Sequence, residues 1–211
     1  MARASDPTPS DPAPSDTTAP RPPGGPVLQD SVTTAITEAF FAELASAGYA
    51  RLSLEAVARR AGAGKAAIYR RWSSKQEMAV ALLSDLVAHT PEPPDSGSLR
   101  GDLRAFLGEV AEGLSHPLAA RIVPDLIAEG GRNDELGQAL LRTVRDPRRA
   151  RATRMLQRAV DRGELPAGLD LDIALDLLAG PLYWHLAVVH APAGPDYLDR
   201  LTNALLAALT A

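Results

Sequence analysis

The sequence contains no cysteine, so disulfide bonds, thiolate metal sites and cysteine nucleophiles are excluded. Aromatic residues make up only 4% of its 211 residues. The N-terminus lacks the apolar stretch of a secretory signal, and no apolar run approaches the roughly 20 residues that cross a bilayer as a helix. No stretch alternates convincingly between apolar and polar residues, which argues against β-strands. These absences predict a soluble, cytoplasmic, all-α protein.

Motifs for catalysis are also absent. The sequence has no serine nucleophile elbow, no glycine-rich loop for phosphate, and no paired histidine and carboxylate spacing for a metal. His185 and His190 are five residues apart, which places them about 140° apart around a helix, a poor arrangement for one shared ion. We therefore predict no catalytic residue, no metal site and no cofactor.

Composition divides the chain into three predicted segments. Eight prolines stand among the first 26 residues with few large apolar side chains, which predicts a disordered arm over residues 1–27. A second Pro-rich stretch, Thr90–Ser98, separates a smaller helical domain over residues 28–90 from a larger one over residues 98–211. Apolar residues recur with a helical period in both domains, which predicts about nine helices.

Capping residues and helix breakers set the expected helix boundaries. Asp30 or Ser31 can cap the first helix, and Ser53 can cap the second. Ser74 and Glu77 form an S-x-x-E capping box for the fourth. Three later helices are expected at Asn133–Arg145, Arg148–Arg162 and Leu171–His190, the last with a kink at Gly180 and Pro181.

Positive charge is concentrated in the smaller domain, although the whole chain has a net charge of −4. Seven of the 25 residues from Arg51 to Lys75 are Lys or Arg, and only Glu55 is acidic. Two short predicted helices with a Gly-containing turn between them occupy this segment, and such a pair is typical of a helix-turn-helix. The alternative is a basic helical hairpin whose charges serve only to solvate it.

The second helix of the pair, Lys65–Trp72, has a face that can read DNA. The spacing of Ile68 and Trp72 turns both inward. The outward and flanking positions are Lys65, Ala66, Ala67, Tyr69 and Arg70. Methyl groups let a helix sit deep in the major groove, arginine can bond guanine, and a tyrosine hydroxyl can bond phosphate. Ser53 begins the first helix of the pair, where the N–H groups can bind a second phosphate.

This segment resembles the DNA-binding domain of the TetR family of bacterial regulators over roughly residues 30–87. The resemblance rests on the Gly-aromatic step in "AGY", the pattern "VA..AG" and the pattern "K..IY..W..K", which occur in the family's order and spacing. The resemblance implies that seven residues contact the DNA groove or a phosphate: six on or just after the second helix of the pair, and one at the start of the fourth helix. That set is Lys65, Ala66, Ala67, Tyr69, Arg70, Arg71 and Lys75.

The C-terminal stretch over residues 162–192 resembles, more loosely, the effector domains of one TetR subgroup. This resemblance implies a ligand cavity and a homodimer formed through the last two long helices. Leucine stripes on both helices support such an interface, with core packing as the alternative: Leu171, Leu175, Leu178 and Leu182, then Leu198, Leu201, Leu205 and Leu209. The candidates for lining the cavity, again with core packing as the alternative, are Phe106, Met155, Tyr183 and Trp184.

A second basic segment, Arg142–Arg162, contains eight arginines against two aspartates. Four of them share one helix face: Arg151, Arg154, Arg158 and Arg162. Such a face can attract nucleic acid or an anionic ligand. It has no paired helix, turn or aromatic residue at reading positions, so a solvated face with salt bridges is favoured.

The leading hypothesis is a ligand-responsive transcriptional regulator. It is expected to bind a palindromic double-stranded DNA operator as a homodimer, to act as a repressor, and to be released by a small, largely apolar effector. No membrane partner is expected. The alternatives are an all-α enzyme and a constitutive DNA-binding dimer without an effector.

Overall fold

The computed structural model describes residues 26–211, with side chains from Ser31 onward. The described residues contain ten α-helical segments and two π-helical turns, Leu141–Arg145 and Trp184–Val188. The first π-helical turn joins the seventh segment to the eighth and the second extends the ninth, so these segments make nine continuous helices. The prediction of an all-α chain of about nine helices is confirmed. The elements are α1 (Pro26–Ala47), α2 (Leu54–Arg60), α3 (Lys65–Tyr69), α4 (Lys75–Ala88), α5 (Leu99–Ser115), α6 (Ala119–Gly130), α7 (Asp134–Leu140), α8 (Asp146–Asp161), α9 (Leu171–Tyr183) and α10 (Pro195–Leu209).

Helix α1 begins at Pro26, four to five residues before the predicted caps. The prediction that Asp30 or Ser31 starts this helix is therefore wrong. Proline suits a first helical turn because its missing N–H would have no partner there. The predicted disordered arm over residues 1–27 lies outside the described residues, except for its last two, Pro26 and Val27, which are helical.

The predicted caps of α2 and α4 are confirmed. Ser53 Oγ accepts a hydrogen bond from Ala56 N at 3.1 Å, and Ser74 Oγ accepts one from Glu77 N at 3.1 Å. The Glu77 carboxylate reaches one residue further back than a capping box requires, and accepts from Ser73 N at 2.7 Å and Ser73 Oγ at 2.6 Å. These two bonds lower the pKa of Glu77.

Helices α7 and α8 form one rod, contrary to the prediction of two separate helices that break between Arg145 and Arg148. Pro147 has no N–H to donate, and its ring would clash with the carbonyl four residues earlier in a regular α-helix. A π-helical turn precedes it, in which Asp146 N donates to Leu141 O, five residues back. The backbone thereby passes Pro147 without ending the helix.

Helix α9 also continues past the kink predicted at Gly180 and Pro181. A π-helical turn follows, in which Val189 N donates to Trp184 O at 2.9 Å. The segment Leu171–Val188 has a mean hydropathy of 1.2 over 18 residues, so by length and composition it matches a membrane span, and only 22% of it is buried. The prediction that no apolar run comes close to that length is therefore wrong for this segment.

Two hydrophobic cores organise the described residues. The first joins α1–α4 to residues from α6 and α7, among them Leu126 and Leu136. The second joins α5, α8, α9 and α10, with Met155 and Leu178 fully buried. The rod of α7 and α8 therefore begins in the core of the N-terminal helices and ends in the core of the C-terminal helices.

The predicted leucine stripes lie mainly inside the second core, so the core-packing alternative is correct for most of them. The buried members are Leu175, Leu178, Leu182, Leu198, Leu205 and Leu209, whereas Leu171 and Leu201 are half-buried. The opposite face of α9 is apolar as well and remains exposed, with Ile173 60%, Trp184 62% and Val188 45% exposed. Helical periodicity alone could not show which of the two apolar faces turns inward.

Candidate nucleic-acid interface

Helices α2 and α3 form the helix-turn-helix, and their inward faces are those that the sequence predicts. Val57 and Ile68 are fully buried, and Trp72, one turn after Ile68, is 9% exposed. The turn contains Gly62 at φ 62°, a left-handed conformation that side chains rarely adopt. Helix α3 ends at Tyr69 with Arg70 as its cap, three residues before the predicted end at Trp72. This packing fixes the outward face of α3.

The outward face of α3 carries the predicted reading residues. Lys65, Ala66, Tyr69, Arg70 and Arg71 are exposed, and Ala67 is half-buried. Gly64 caps the helix without a side-chain bond. The predicted reading residues are thus accessible on α3 and in the turn that follows it, and Ser53 caps the neighbouring helix α2.

The basic side chains of the segment divide into free and engaged groups. Within the described residues, the side chains of Arg59, Arg70 and Arg71 make no hydrogen bond and no ion pair. Arg60 Nε, in contrast, lies 2.7 Å from Glu43 Oε1, and Arg51 Nε donates to Ala47 O at 3.0 Å. A free, exposed guanidinium can bind phosphate or a base edge without breaking an internal contact. The sequence could not separate these two groups.

Lys75 fastens α4 to the end of α1. Its Nζ donates to Tyr49 O at 2.9 Å and to Ala50 O at 2.9 Å, and it lies 4.8 Å from the centroid of the Tyr49 ring. An ammonium has three donors, so one remains for a phosphate. Lys75 therefore has a structural role that the sequence did not reveal, in addition to its predicted contact with DNA.

Glu55 and Tyr69 form a pair on the reading surface that the sequence also did not reveal. The Tyr69 hydroxyl donates to Glu55 Oε1 at 2.7 Å, and Lys65 Nζ lies 4.0 Å from the same oxygen. This hydrogen bond lowers the pKa of Glu55 and raises the pKa of Tyr69. In the DNA-free protein, the hydroxyl predicted to bind phosphate is thus held by a carboxylate.

A contact between α6 and the end of α1 links this interface to the C-terminal helices. Asp125 Oδ2 accepts a hydrogen bond from Tyr49 N at 2.7 Å. Gly48, immediately before it, has φ 77°, and a Cβ there would lie 2.8 Å from Asp125 Oδ1. The turn after α1 therefore bonds α4 through Lys75 and bonds α6 through Asp125.

The four predicted cavity residues occupy different environments. Met155 is fully buried in the second core, and Phe106 is buried beneath the guanidinium of Arg151, 5.7 Å from its ring centroid. Tyr183 is half-buried, whereas Trp184 lies on the exposed face of α9. An open cleft of about 740 Å³ lies elsewhere, between the Tyr49 turn, α4 and α7, and none of the four lines it. Over residues 26–211 no group of three or more acidic, His or Cys side chains could hold a metal ion.

Comparisons with known proteins bear on this geometry. The family model described as "Bacterial regulatory proteins, tetR family" matches residues 36–82, and "Tetracyclin repressor-like, C-terminal domain" matches residues 93–205. The DNA-binding transcriptional repressor TetR of Mycobacteroides abscessus is 35% identical over 164 residues, which are 77% of this chain and 85% of that protein.

Solved structures share the fold along most of their length. The TetR family transcription regulator SCO0332 has a TM-score of 0.66 and 28% identity, over 84% of this chain and 97% of its own. FadR from Bacillus subtilis, solved in complex with stearoyl-CoA, has a TM-score of 0.65 and 19% identity, over 85% of this chain and 98% of its own. Both family models describe regulators, which sets aside the all-α enzyme. With its helix-turn-helix of α2 and α3 and its matching C-terminal domain, this chain belongs to the TetR family of bacterial transcriptional regulators.

Proposed function

We propose that this regulator is a repressor that binds a palindromic operator as a homodimer and is released by an effector. The observation that carries the proposal is the exposed surface of α3 and the turn after it, where the side chains of Arg70 and Arg71 are exposed and unpaired within the described residues. The relative from Mycobacteroides abscessus is named a repressor, which supports the direction of control. A repressor acts on the chromosome, so we place the protein in the cytoplasm.

The proposed DNA contacts divide into reading and positioning contacts. Arg70 is assigned to a base edge, because it is free and can bond guanine with both arms of its guanidinium. Ala66 and Ala67 are assigned to the groove floor, where a methyl group can meet thymine. The phosphate contacts are assigned to Ser53, Lys65, Tyr69, Arg71 and Lys75.

The homodimer is proposed through the outer faces of α9 and α10. On α9, Ile173, Gly180 and Trp184 are exposed in one line, and Val188 lies beside them. On α10 the exposed positions include Ala204, Ala207 and Ala208, which permit close helix packing. Two copies would bury these faces as a four-helix interface, and an apolar surface of this kind on a soluble protein marks an interaction site.

Tyr69→Phe is expected to weaken binding to all DNA sequences by a similar factor, about 2- to 10-fold, since a net hydrogen bond to phosphate contributes about 0.5–1.5 kcal/mol. The change also frees the Glu55 carboxylate, which then repels the DNA. Glu55→Gln is the matched variant and is expected to strengthen binding to operator and to unrelated DNA. Fluorescence anisotropy at one salt concentration measures both. A loss confined to one base pair for Tyr69→Phe would contradict the phosphate assignment.

The effector is proposed to be a small, largely apolar molecule that binds among the C-terminal helices, near Phe106, Met155 and Tyr183. Trp184, the fourth predicted residue, lies on the proposed dimer surface and would act there instead. The stearoyl-CoA bound to FadR supports an effector with a long apolar portion. An effector that prefers the DNA-free state by about 1–3 kcal/mol lowers operator affinity about 5- to 150-fold.

Stearoyl-CoA is therefore the probe for this proposal, with CoA lacking the acyl chain as its control. Isothermal titration measures its binding to the free protein and to the operator complex. We expect stearoyl-CoA, but not CoA, to lower operator affinity, and operator DNA to lower stearoyl-CoA affinity by the same factor. Tight binding of stearoyl-CoA without any change in operator affinity would favour the alternative of a constitutive DNA-binding dimer.

A further inference from the structure

The linker between α4 and α5 has no regular secondary structure, so its backbone carbonyls have no helical partners. It contains three prolines, Pro91, Pro93 and Pro94, and connects the helix that leaves the DNA-binding domain to the first helix of the second core. Pro93 is buried even though the linker has no secondary structure of its own. Buried or partly buried carbonyls require donors from elsewhere. Arginines of α8 supply them.

Arg151 is the central donor and is itself only 8% exposed. Its Nε donates to Pro91 O at 2.5 Å, and its guanidinium also donates to Glu92 O at 3.1 Å and Glu109 Oε2 at 2.5 Å. A buried guanidinium that loses its acceptors leaves an uncompensated charge, which is strongly destabilising. Arg151 therefore holds the linker between α5 and α8 by three acceptors at once.

Of the three further arginines of the same face, Arg158 and Arg162 extend this contact along the linker, whereas Arg154 makes only an exposed ion pair. Arg154 pairs with Glu92 at 3.1 Å. Arg158 donates to the carbonyl oxygens of Pro93 and Pro94. Arg162 bonds Asp102 at 3.1 Å, and that buried carboxylate accepts from Ser96 N at 2.6 Å. The arginine face predicted to be solvated and salt-bridged is thus largely occupied by the linker.

The position of α4 depends on these contacts. Helix α4 packs against the π-helical turn Leu141–Arg145 and against α8, and the linker fixed by Arg151 begins within three residues of its C-terminal end. Helix α4 also carries Lys75, which holds the end of α1. A shift of α8 must therefore move α4 and the helix-turn-helix with it, or break the bonds of a buried charge.

We propose that Arg151 is a positioning residue for operator binding: by fixing the linker carbonyls it holds α4, and with it the reading helix, at the half-site spacing of the dimer. This rests on the proposed function, because spacing matters only for a dimer on two half-sites. Arg151 itself touches no DNA. Its removal affects the choice between operators of different spacing rather than the affinity for any single half-site.

Arg151→Lys is the test variant, because lysine keeps the charge but its single nitrogen cannot reach the acceptors that the guanidinium contacts through both Nε and Nη2. Arg154→Ala is the matched control, since Arg154 lies on the same face with its side chain 52% exposed and pairs with an exposed Glu92. Glu109→Gln is a second variant that leaves Arg151 in place and removes only its carboxylate partner. Affinities are measured for the selected operator, for operators one base pair longer or shorter between half-sites, and for unrelated DNA.

For Arg151→Lys we expect the preference for native spacing to fall about 5- to 10-fold, in the lower part of the range for coupling between sites. Glu109→Gln is expected to show a smaller loss of the same kind, and Arg154→Ala none. Binding to unrelated DNA and its salt dependence stay unchanged. If both Arg151→Lys and Glu109→Gln keep the wild-type spacing preference, or lose affinity for all DNA only as their folded fraction falls, the positioning role is overturned. A wild-type protein with no spacing preference would instead overturn the proposed dimer on two half-sites.

Discussion

Ile173→Asp is expected to convert the protein to monomers at micromolar concentration and to lower operator affinity by at least about 100-fold, because two linked half-site contacts exceed one by about 10²–10⁴. Ile173 is 60% exposed in the single chain, on the outer face of α9 that we assign to the dimer. An aspartate there would meet its own copy or an apolar neighbour across the two-fold axis. A charge buried without a partner costs several kcal/mol.

Sedimentation velocity and operator anisotropy, taken on the same samples, measure these two effects. Ile127→Asp is the control, because Ile127 is 56% exposed on α6, outside the proposed surface. That variant is expected to remain dimeric and to bind the operator as before. If Ile173→Asp stays dimeric with full operator affinity, the interface lies on another part of the chain.

Arg70→Ala is expected to cost about 1–3 kcal/mol on the selected operator and to flatten the preference at one base pair in each half-site. The physical reason is that the Arg70 side chain is exposed at the C-terminal cap of α3 and has no partner within the described residues, so both arms of the guanidinium are available to guanine. Alanine at this position leaves the polar edge of the base without its donor.

Affinities for every single-base variant of the operator separate this reading role from a general attraction. Arg59→Ala is the matched control, since Arg59 is also exposed and unpaired within the described residues but lies on α2. It is expected to lower affinity for all variants alike. An equal loss across all variants for Arg70→Ala would show that it contacts the backbone of the DNA.

The helix-turn-helix could be predicted well because its signals are local. Ile68 and Trp72 are one turn apart. Ser53 and Ser74 each stand directly before a helix and accept a hydrogen bond from one of its first N–H groups. The pair of Glu55 and Tyr69 escaped prediction because the two residues are 14 positions apart and meet only through the angle between α2 and α3. No helical period connects side chains on two different helices.

The sequence left open, for a different reason, which face of α9 turns inward. Both sides of this helix are apolar, with Leu178 and Leu182 on one side and Ile173 and Trp184 on the other. The hydrophobic effect favours burial of either, and packing against α5, α8 and α10 decides which side turns inward. The position of Trp184 on the outside, rather than in a cavity, follows from that choice.

The arginine face of α8 shows the same limit. The helical spacing of Arg151, Arg154, Arg158 and Arg162 predicted that they share a face, but it did not predict which groups they bond. The acceptors are carbonyls of a Pro-rich linker about 60 residues away in sequence. A linker that looks like a flexible boundary in the sequence is thus a bound element of the fold.

The central claim is that α3 of each protomer reads one half of an inverted repeat. The most direct test selects bound sites from random DNA and then measures the affinity for the selected site at several salt concentrations. The account predicts an inverted repeat and a log-log slope on the order of −5 to −7, for about three to four phosphates neutralised by each protomer. Recovery of no repeat, or an affinity that does not change with salt, would contradict it.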